Sequence, residues 1–293
     1  MADLDLRLVR YFTVVATHQH IGRAAAELHL AQPSLSRQIQ RLEDQLGVRL
    51  FDRTAHGSHL TPAGRAFLVQ ANELLGAARH AVTSARAAAT SGTITIGYMP
   101  GLPVTPAVRD LRERHPDAEI HTRYLTWEDT RCLAEHRVDV VLAWQPFVFP
   151  MEGYRVTVLY EDPRLLVVPT THALAGRTSV TLADFADEPL VEFPMPGASA
   201  EWRAFWWPER PDGGRRPVGP TVHTVQDKFE VVACGKAVIM HPRSDQSFLI
   251  RPDLTSIPID DFPPCHAVML TRPVEDNSMV DEFRKSALSC LPG

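Results

Sequence analysis

From Leu35 the apolar residues of QPSLSRQIQRLEDQL recur at Ile39, Leu42 and Leu46, the spacing that stacks side chains along one face of a helix. Pro33 suits the first turn, where its missing N–H has no intrahelical partner to lose. By the same angular steps Pro33, Arg37, Gln40 and Arg41 fall on the opposite face, flanked by Ser34 and Ser36, with no carboxylate before Glu43 and Asp44. Upstream, Ile21 to Leu30 reads as a short helix with Ala24 and Ala25 as close-packing residues, joined to the next by only a few residues. Two helices joined so tightly, the second with a polar face, make a helix-turn-helix pattern. A polar helix face alone more often meets only solvent, but residues 48–61, VRLFDRTAHGSHLT, shift that balance. They are two short alternating runs around Ala55-His56-Gly57, a hairpin with Arg53 and His56 near its tip. Helix and hairpin together form a winged unit able to offer cations and amides to a DNA duplex, where phosphate contacts set position and base edges set sequence.

Residues 61–90 continue as alanine-rich, proline-poor sequence with Thr61 as N-cap and Pro62 at the first helical position, which predicts a helix of about 40 Å. Phe67, Leu68, Leu74, Leu75, Ala78, Ala81, Val82 and Ala85 form a broad apolar stripe along it. A helix this long between two compact domains lacks a neighbour in its own chain to cover that stripe, so a second copy is the expected cover.

The run from Tyr11 to Gly64, containing RAAAELHLAQPSLSRQIQRLEDQLGVRLFDRT and LTPAG, resembles the N-terminal domain of LysR-type transcriptional regulators. The resemblance implies sequence-specific binding of double-stranded promoter or operator DNA, with Arg23, Gln32, Pro33, Ser34, Ser36, Arg37, Gln40, Arg41, Arg53 and His56 as the contacting residues. It also implies an antiparallel linker-helix homodimer, assembly to a homotetramer, and contact with RNA polymerase if the chain activates transcription. Two positions depart from the family pattern: Ala31 stands where a capping serine is common, and Gly22 where a threonine is common. Each removes a hydroxyl able to cap a helix or touch a phosphate.

Beyond Gly92 the pattern changes. TITIGYM, AEIHTRYL and VDVVLAW read as strands; TPAVRDLRERH and WEDTRCLAEHR (127–137) read as helices, and the alternation predicts an α/β body with parallel strands and helices on both faces. RLLVVPTTHAL (164–174) and EPLVEFP (188–194) supply further strands, and VQDKFEVVACGKAVIMHP (225–242) a helix, a turn at Gly235 and a buried strand. FWWPERPDGGRRPVGP (205–220) reads as a surface loop with an aromatic root. The family resemblance, looser here and with His136 in place of a common glycine, implies two Rossmann-like subdomains similar to a periplasmic binding protein. Their expected extents are about 91–165 with 265–293, and 166–264, after a DNA-binding domain at 1–60 and a linker at 61–90.

Open α/β sheets hold ligands at the carboxyl ends of their strands, where helix N-termini point N–H groups into the crevice. Those positions are Met99, Pro100, Gly101 and Leu102 after the first strand, Thr126 and Trp127 at the start of the second helix, and Trp144, Gln145 and Phe147 after the third strand. Across the cleft lie Pro194, Met195 and Ser199 in FPMPGAS, and His223. Apolar walls with a few polar groups suit a small organic effector, an anionic one in particular.

Composition refines this reading once divided. The whole chain has 30 basic against 35 acidic residues, which by itself speaks against nucleic acid. Residues 1–90, however, hold ten Arg and no Lys against seven Asp and Glu, a net of +3, and the remaining 203 hold 20 against 28, a net of −8. A basic head on an acidic body fits a DNA reader with a sensing domain. Four cysteines without CxxC spacing indicate neither a zinc site nor a disulfide framework, and no HExxH, P-loop, GxGxxG after a strand or GxSxG occurs. No catalysis and no cofactor are expected. With no basic leader and no run of 18 apolar residues, the expectation is a cytoplasmic protein without a membrane partner. The alternative from another class is a solute-binding protein or α/β enzyme with a helical N-terminal extension.

Overall fold

The computed structural model describes residues 4–54, 57–89, 92–126, 129, 131–148, 151–195 and 197–291. The chain divides into two compact units, Met1–Arg86 with Ala134–Arg137, and Ala87–Leu133 with Val138–Gly293. Among the described residues no helix is long and apolar enough to cross a membrane.

The first unit opens with α1 (Leu6–His18), α2 (Ile21–Glu27) and α3 (Gln32–Leu46), followed by the antiparallel pair β1 (Phe51–Thr54) and β2 (Gly57–Leu60) and the long α4 (Pro62–Ala89). Its core gathers Leu8, Phe12 and Val15 of α1, Ala24 and Ala25 of α2, and Leu35, Ile39 and Leu42 of α3. Each large aliphatic side chain so buried contributes about 1.5–3 kcal/mol. The Phe12 ring packs 5.2 Å from Phe51 and 5.0 Å from Phe67, tying α1 to the hairpin and to α4. Glu43 Oε1 accepts from the N–H groups of Leu50 and Phe51 at 2.7 and 3.1 Å, which fixes the hairpin's start on α3. Thr61 caps α4, its hydroxyl oxygen accepting from Gly64 N at 2.9 Å. A Cβ at position 64 would lie 2.1 Å from Leu50 O, so only glycine lets α4 come this close to the segment before the hairpin.

The predicted apolar stripe of α4 divides along its length. Phe67, Leu68 and Leu75 pack on their own unit's core, whereas Leu74 and Val82 stay 38% and 52% exposed.

The second unit runs β3 (Thr93–Tyr98), α5 (Thr105–Arg114), β4 (Glu119–Tyr124), β5 (Val140–Gln145), β6 (Arg155–Asp162), β7 (Arg164–Pro169), β8 (Leu190–Glu192), α6 (Ala200–Trp206), β9 (Val218–Thr221), α7 (Val225–Ala233), β10 (Ile239–Pro242), β11 (Leu254–Pro258), β12 (Cys265–Thr271) and α8 (Ser278–Cys290). One lobe is a five-stranded sheet in the order β4-β3-β5-β12-β6; the other carries the three-stranded sheet β10-β7-β11 and the parallel pair β8-β9. The chain passes between lobes at Pro163, from β6 to β7, and again from β11 to β12. Only β3, β4 and β5 keep the expected parallel arrangement in the first sheet. There β12 runs antiparallel to both β5 and β6, and in the second sheet β10 and β11 run antiparallel to β7. The two strands that carry the chain across lobes impose this, because they join neighbouring sheets rather than closing βαβ units.

Two further expectations are corrected here. Residues 131–136, expected within a helix over 127–137, form successive turns. Of that segment only Cys132 and Leu133 are buried among the described residues, less than one turn's worth of apolar contact, and His136 adopts a left-handed φ of 50° that no helix continues through. The stretch 205–220, expected as a loop, begins inside α6 and ends in β9.

Candidate functional site

In the first unit α3 does what its periodicity requires. Leu35, Ile39 and Leu42 are fully buried, and Gln32, Pro33, Arg37, Gln40 and Arg41 are exposed, with Ser34 and Ser36 half-buried at the flanks. Ala31, at the N-cap, gives no side-chain hydrogen bond; its carbonyl instead accepts from Ser34 N and Leu35 N at 2.9 and 3.1 Å. Arg23 is exposed on α2. The Arg53 side chain and His56 lie outside the described residues.

In the second unit the cleft between lobes holds an open pocket of about 650 Å³. Its walls are largely aromatic: Trp144 from β5, Phe193 after β8, and Trp202, Trp206 and Trp207 from α6 and its end. Trp144 Nε1 donates to Pro100 O at 3.1 Å and Trp207 Nε1 to Val191 O at 2.8 Å, which fixes both rings. The Trp206 ring also meets the Arg164 guanidinium, 4.1 Å from its centroid, with Phe205 and Phe262 at 4.9 and 5.9 Å. Burial drives the Arg164 pKa down to about 10, so these aromatic faces are the cation's immediate electrostatic support.

At the base of the pocket three ionisable side chains meet. Lys228 of α7 donates through Nζ to His241 Nε2 at 2.8 Å, His241 Nε2 stands 3.0 Å from Asp245 Oδ2, and Lys228 and Asp245 are 3.8 Å apart. All three are buried. Burial pushes the Lys228 ammonium down to about 8, with Asp245 pulling the other way. Burial, then the Lys228 charge, also lowers the His241 pKa. Burial alone would raise Asp245; contact with His241, then the Lys228 charge and the Ser247 N–H donating to Oδ1, outweigh it and hold the carboxyl well below its ordinary range. Gly101, with φ 83°, abuts this group from the other lobe: a Cβ there would lie 2.3 Å from Asp245 Oδ2.

A second pocket of about 590 Å³ lies within the first lobe, walled by Met99, Leu125, Cys132, Phe147 and Tyr154 with Thr126 at its margin. Trp144 lines both pockets.

Comparison with known families bears on both units. The model of the bacterial regulatory helix-turn-helix protein, lysR family, matches residues 6–65, and that of the LysR substrate binding domain matches residues 87–288. The chain belongs to the LysR family. Among relatives of this LysR-type regulator, YnfL of Escherichia coli, an uncharacterized HTH-type transcriptional regulator, is 37% identical over 65% of this chain and 66% of its own length. The HTH-type transcriptional regulator TfdS of Cupriavidus pinatubonensis is 31% identical over 82% of this chain and 83% of its own. The solved LysR family regulator CbnR shares the fold, with a TM-score of 0.69 at 24% identity over 97% of this chain and 99% of that one; it has also been solved full-length with target DNA.

The LysR-type body brings together only part of the expected ligand set. Pro100 and Trp144 line the interlobe pocket, Gly101 borders its base, and Met99, Thr126 and Phe147 line the other pocket. Thr126 does not open a helix; its N–H and hydroxyl both donate to Asp129 Oδ2, at 3.0 and 3.2 Å. Trp127 lies outside the described residues. Leu102 belongs to the first lobe's core, and Gln145 is half-buried. Ser199 caps α6, accepting from Trp202 N at 3.1 Å, and Met195 O accepts from Arg203, while Pro194 and His223 are exposed. Sequence reasoning missed Lys228, His241, Asp245 and the α6 tryptophans. For Lys228 a signal existed: with Phe229 and Val232 it sits at i, i+1, i+4 on the buried face of α7, an apolar position occupied by a cation.

Proposed function

We propose that this LysR-type regulator reads operator DNA with α3 and the hairpin, and that a small molecule held in the interlobe pocket changes how it does so. The observation that carries the first half is the exposed Gln32, Arg37, Gln40 and Arg41 face over the buried Leu35, Ile39 and Leu42 stripe. In this reading Arg23, Gln32, Pro33, Ser34, Ser36, Arg37, Gln40 and Arg41 touch the duplex, with Arg53 and His56 in the wing. The existence of a CbnR complex with target DNA supports it. The aromatic lining of the interlobe pocket supports the second half. The regulator names of the relatives favour a binding protein over an enzyme, and a cytoplasmic location belongs with a chromosomal target.

The test of the first half is to recover the genomic fragments that the purified full-length protein retains and titrate one at several salt concentrations. Arg37→Ala is expected to weaken binding and to reduce the salt slope by about one unit, the contribution of one neutralised phosphate. Gln32→Ala is expected instead to relax sequence preference and spare nonspecific binding. Unchanged affinity and slope in both variants would remove α3 as the reading surface.

A further inference from the structure

Of the 30 basic residues in the chain only three are lysines, Lys228, Lys236 and Lys285, and only Lys228 is buried. It lines the interlobe pocket together with Trp144, Trp202 and Trp207, keeps 8% of its side chain exposed, and places Nζ 4.6 Å from the Phe229 centroid. An arginine there would serve an ion pair with Asp245 equally well but could not lose its proton. We propose that Lys228 is a reactive amine, which condenses with an apolar aldehyde held in this pocket and leaves an iminium ion beside Asp245. This rests on the reading of the pocket as the effector site and specifies a ligand class and a covalent bond.

An amine attacks a carbonyl only in its neutral form, and an apolar pocket is where a lysine gives up its proton. Two groups able to relay that proton stand beside Nζ, His241 Nε2 at 2.8 Å and Asp245 Oδ2 at 3.8 Å. Burial brings Lys228 to a pKa of about 8 against 10.5 in the open, so near neutral pH its amine is free roughly two hundredfold more often than that of an exposed lysine. The free amine adds to the carbonyl carbon and forms the C–N bond. The carbonyl oxygen then leaves as water with two of the three hydrogens that the ammonium began with, and the third stays on nitrogen. Aldehyde and ammonium thus give iminium and water, with no oxidant, no reductant and no change of charge. Asp245, held by the Ser247 N–H at 3.1 Å, is the counter-ion of the ammonium before the reaction and of the iminium after it.

The charges buried around the pocket favour an uncharged ligand. Among the described residues the cations are Arg164, against Trp206, and Lys228; the carboxylates are Asp162, in the field of Arg164, and Asp245. The four balance. An aldehyde adds nothing to them before or after condensation, whereas a charged ligand leaves an excess in an apolar surround. On α7, Asp227 and Glu230 are exposed, and Glu230 pairs with Arg251. The other two lysines are exposed as well, Lys285 donating to Glu282 at 2.7 Å, which makes them internal references for reactivity.

The probes are benzaldehyde and 2-naphthaldehyde, with 2-naphthylmethanol as the control that lacks the carbonyl. Each is added to full-length protein at about pH 7.5, where the exposed lysines stay protonated, and cyanoborohydride then reduces any iminium to a stable amine. Intact mass and peptide mapping are expected to find one arylmethyl group per chain, on Lys228, formed at least about tenfold faster than on Lys236, Lys285 or the N-terminal amine. Lys228→Arg, which keeps a cation beside Asp245, is expected to lose that adduct. Absence of an adduct at Lys228 with both aldehydes, labelling of all the amines at comparable rates, or an undiminished adduct in Lys228→Arg overturns the inference. Operator footprints on the same samples separate it from the reading it rests on. A Lys228 adduct with an unchanged footprint overturns the effector role alone, and a footprint shifted by 2-naphthylmethanol while neither aldehyde labels Lys228 overturns the covalent bond alone.

Discussion

Full-length protein carrying Leu74→Asp with Val82→Asp is expected to sediment as a monomer and to bind its operator at least about a hundredfold more weakly, the avidity lost when two heads are no longer joined. Both side chains are exposed on α4, 38% and 52% respectively, and eight positions apart they share the apolar stripe that also carries Ala78, Ala81 and Ala85. If a second copy covers this stripe, each new carboxylate is buried without a partner at a cost of several kcal/mol. Leu75 is unsuitable for this test because it packs on the core of its own unit, where an aspartate would unfold the head it is meant to leave intact. Retention of the dimer by the double variant would show that α4 is not the subunit contact.

Asp245→Ala is expected to lower the thermal midpoint of the second unit by roughly 10 °C, because it strands the Lys228 ammonium in a buried site at about 3 kcal/mol or more. The pH dependence follows from the signs. Lys228 has a folded pKa of about 8 against 10.5 when exposed, so the unfolded chain binds that proton more tightly. Stability therefore falls as pH drops from about 10.5 to about 8, and the penalty is complete below. The deficit of the variant should shrink as pH is raised through that window, since a neutral amine needs no partner. In acid the two proteins should converge, because the depressed Asp245 pKa contributes stability only above about 3.8 and loses it as pH falls through the folded value. Circular dichroism melts of both proteins at about pH 7 and 9.5 decide this; coincident midpoints at pH 7 would show that the cluster carries no net stabilisation.

The legibility of the sequence differs sharply between the two units. In the head, local rules suffice. Leu35, Ile39 and Leu42 repeat at helical spacing, Pro33 marks the start of α3 and Thr61 that of α4, and both helices form where those signals put them. In the body the decisive contacts are long-range. Lys228, His241 and Asp245 come from a helix, a strand and the turn beyond it, and Pro100 and Trp144 reach them from the other lobe. Strand-end reasoning points to Pro100, Gly101 and Trp144, which line or border the interlobe pocket, because it follows from topology. It misplaced Ser199, whose hydroxyl is occupied in capping α6, and Thr126, whose hydroxyl is turned to Asp129. A short polar residue after a strand fits a cap as well as a ligand contact, and only the backbone it meets decides between them.

The contact of Gly101 with Asp245 has an evolutionary consequence. With no room for even one methyl group between the backbone at 101 and the carboxylate at 245, position 101 cannot change while the acid at 245 stays. An alanine at 101 meets both the carboxylate at 245 and a left-handed φ of 83°, so loss of the acid at 245 removes one of two obstacles. Across diverging lineages the two sites, 144 residues apart in sequence, are expected to change as a linked pair, with an intermediate bearing both bulk and charge purged by selection.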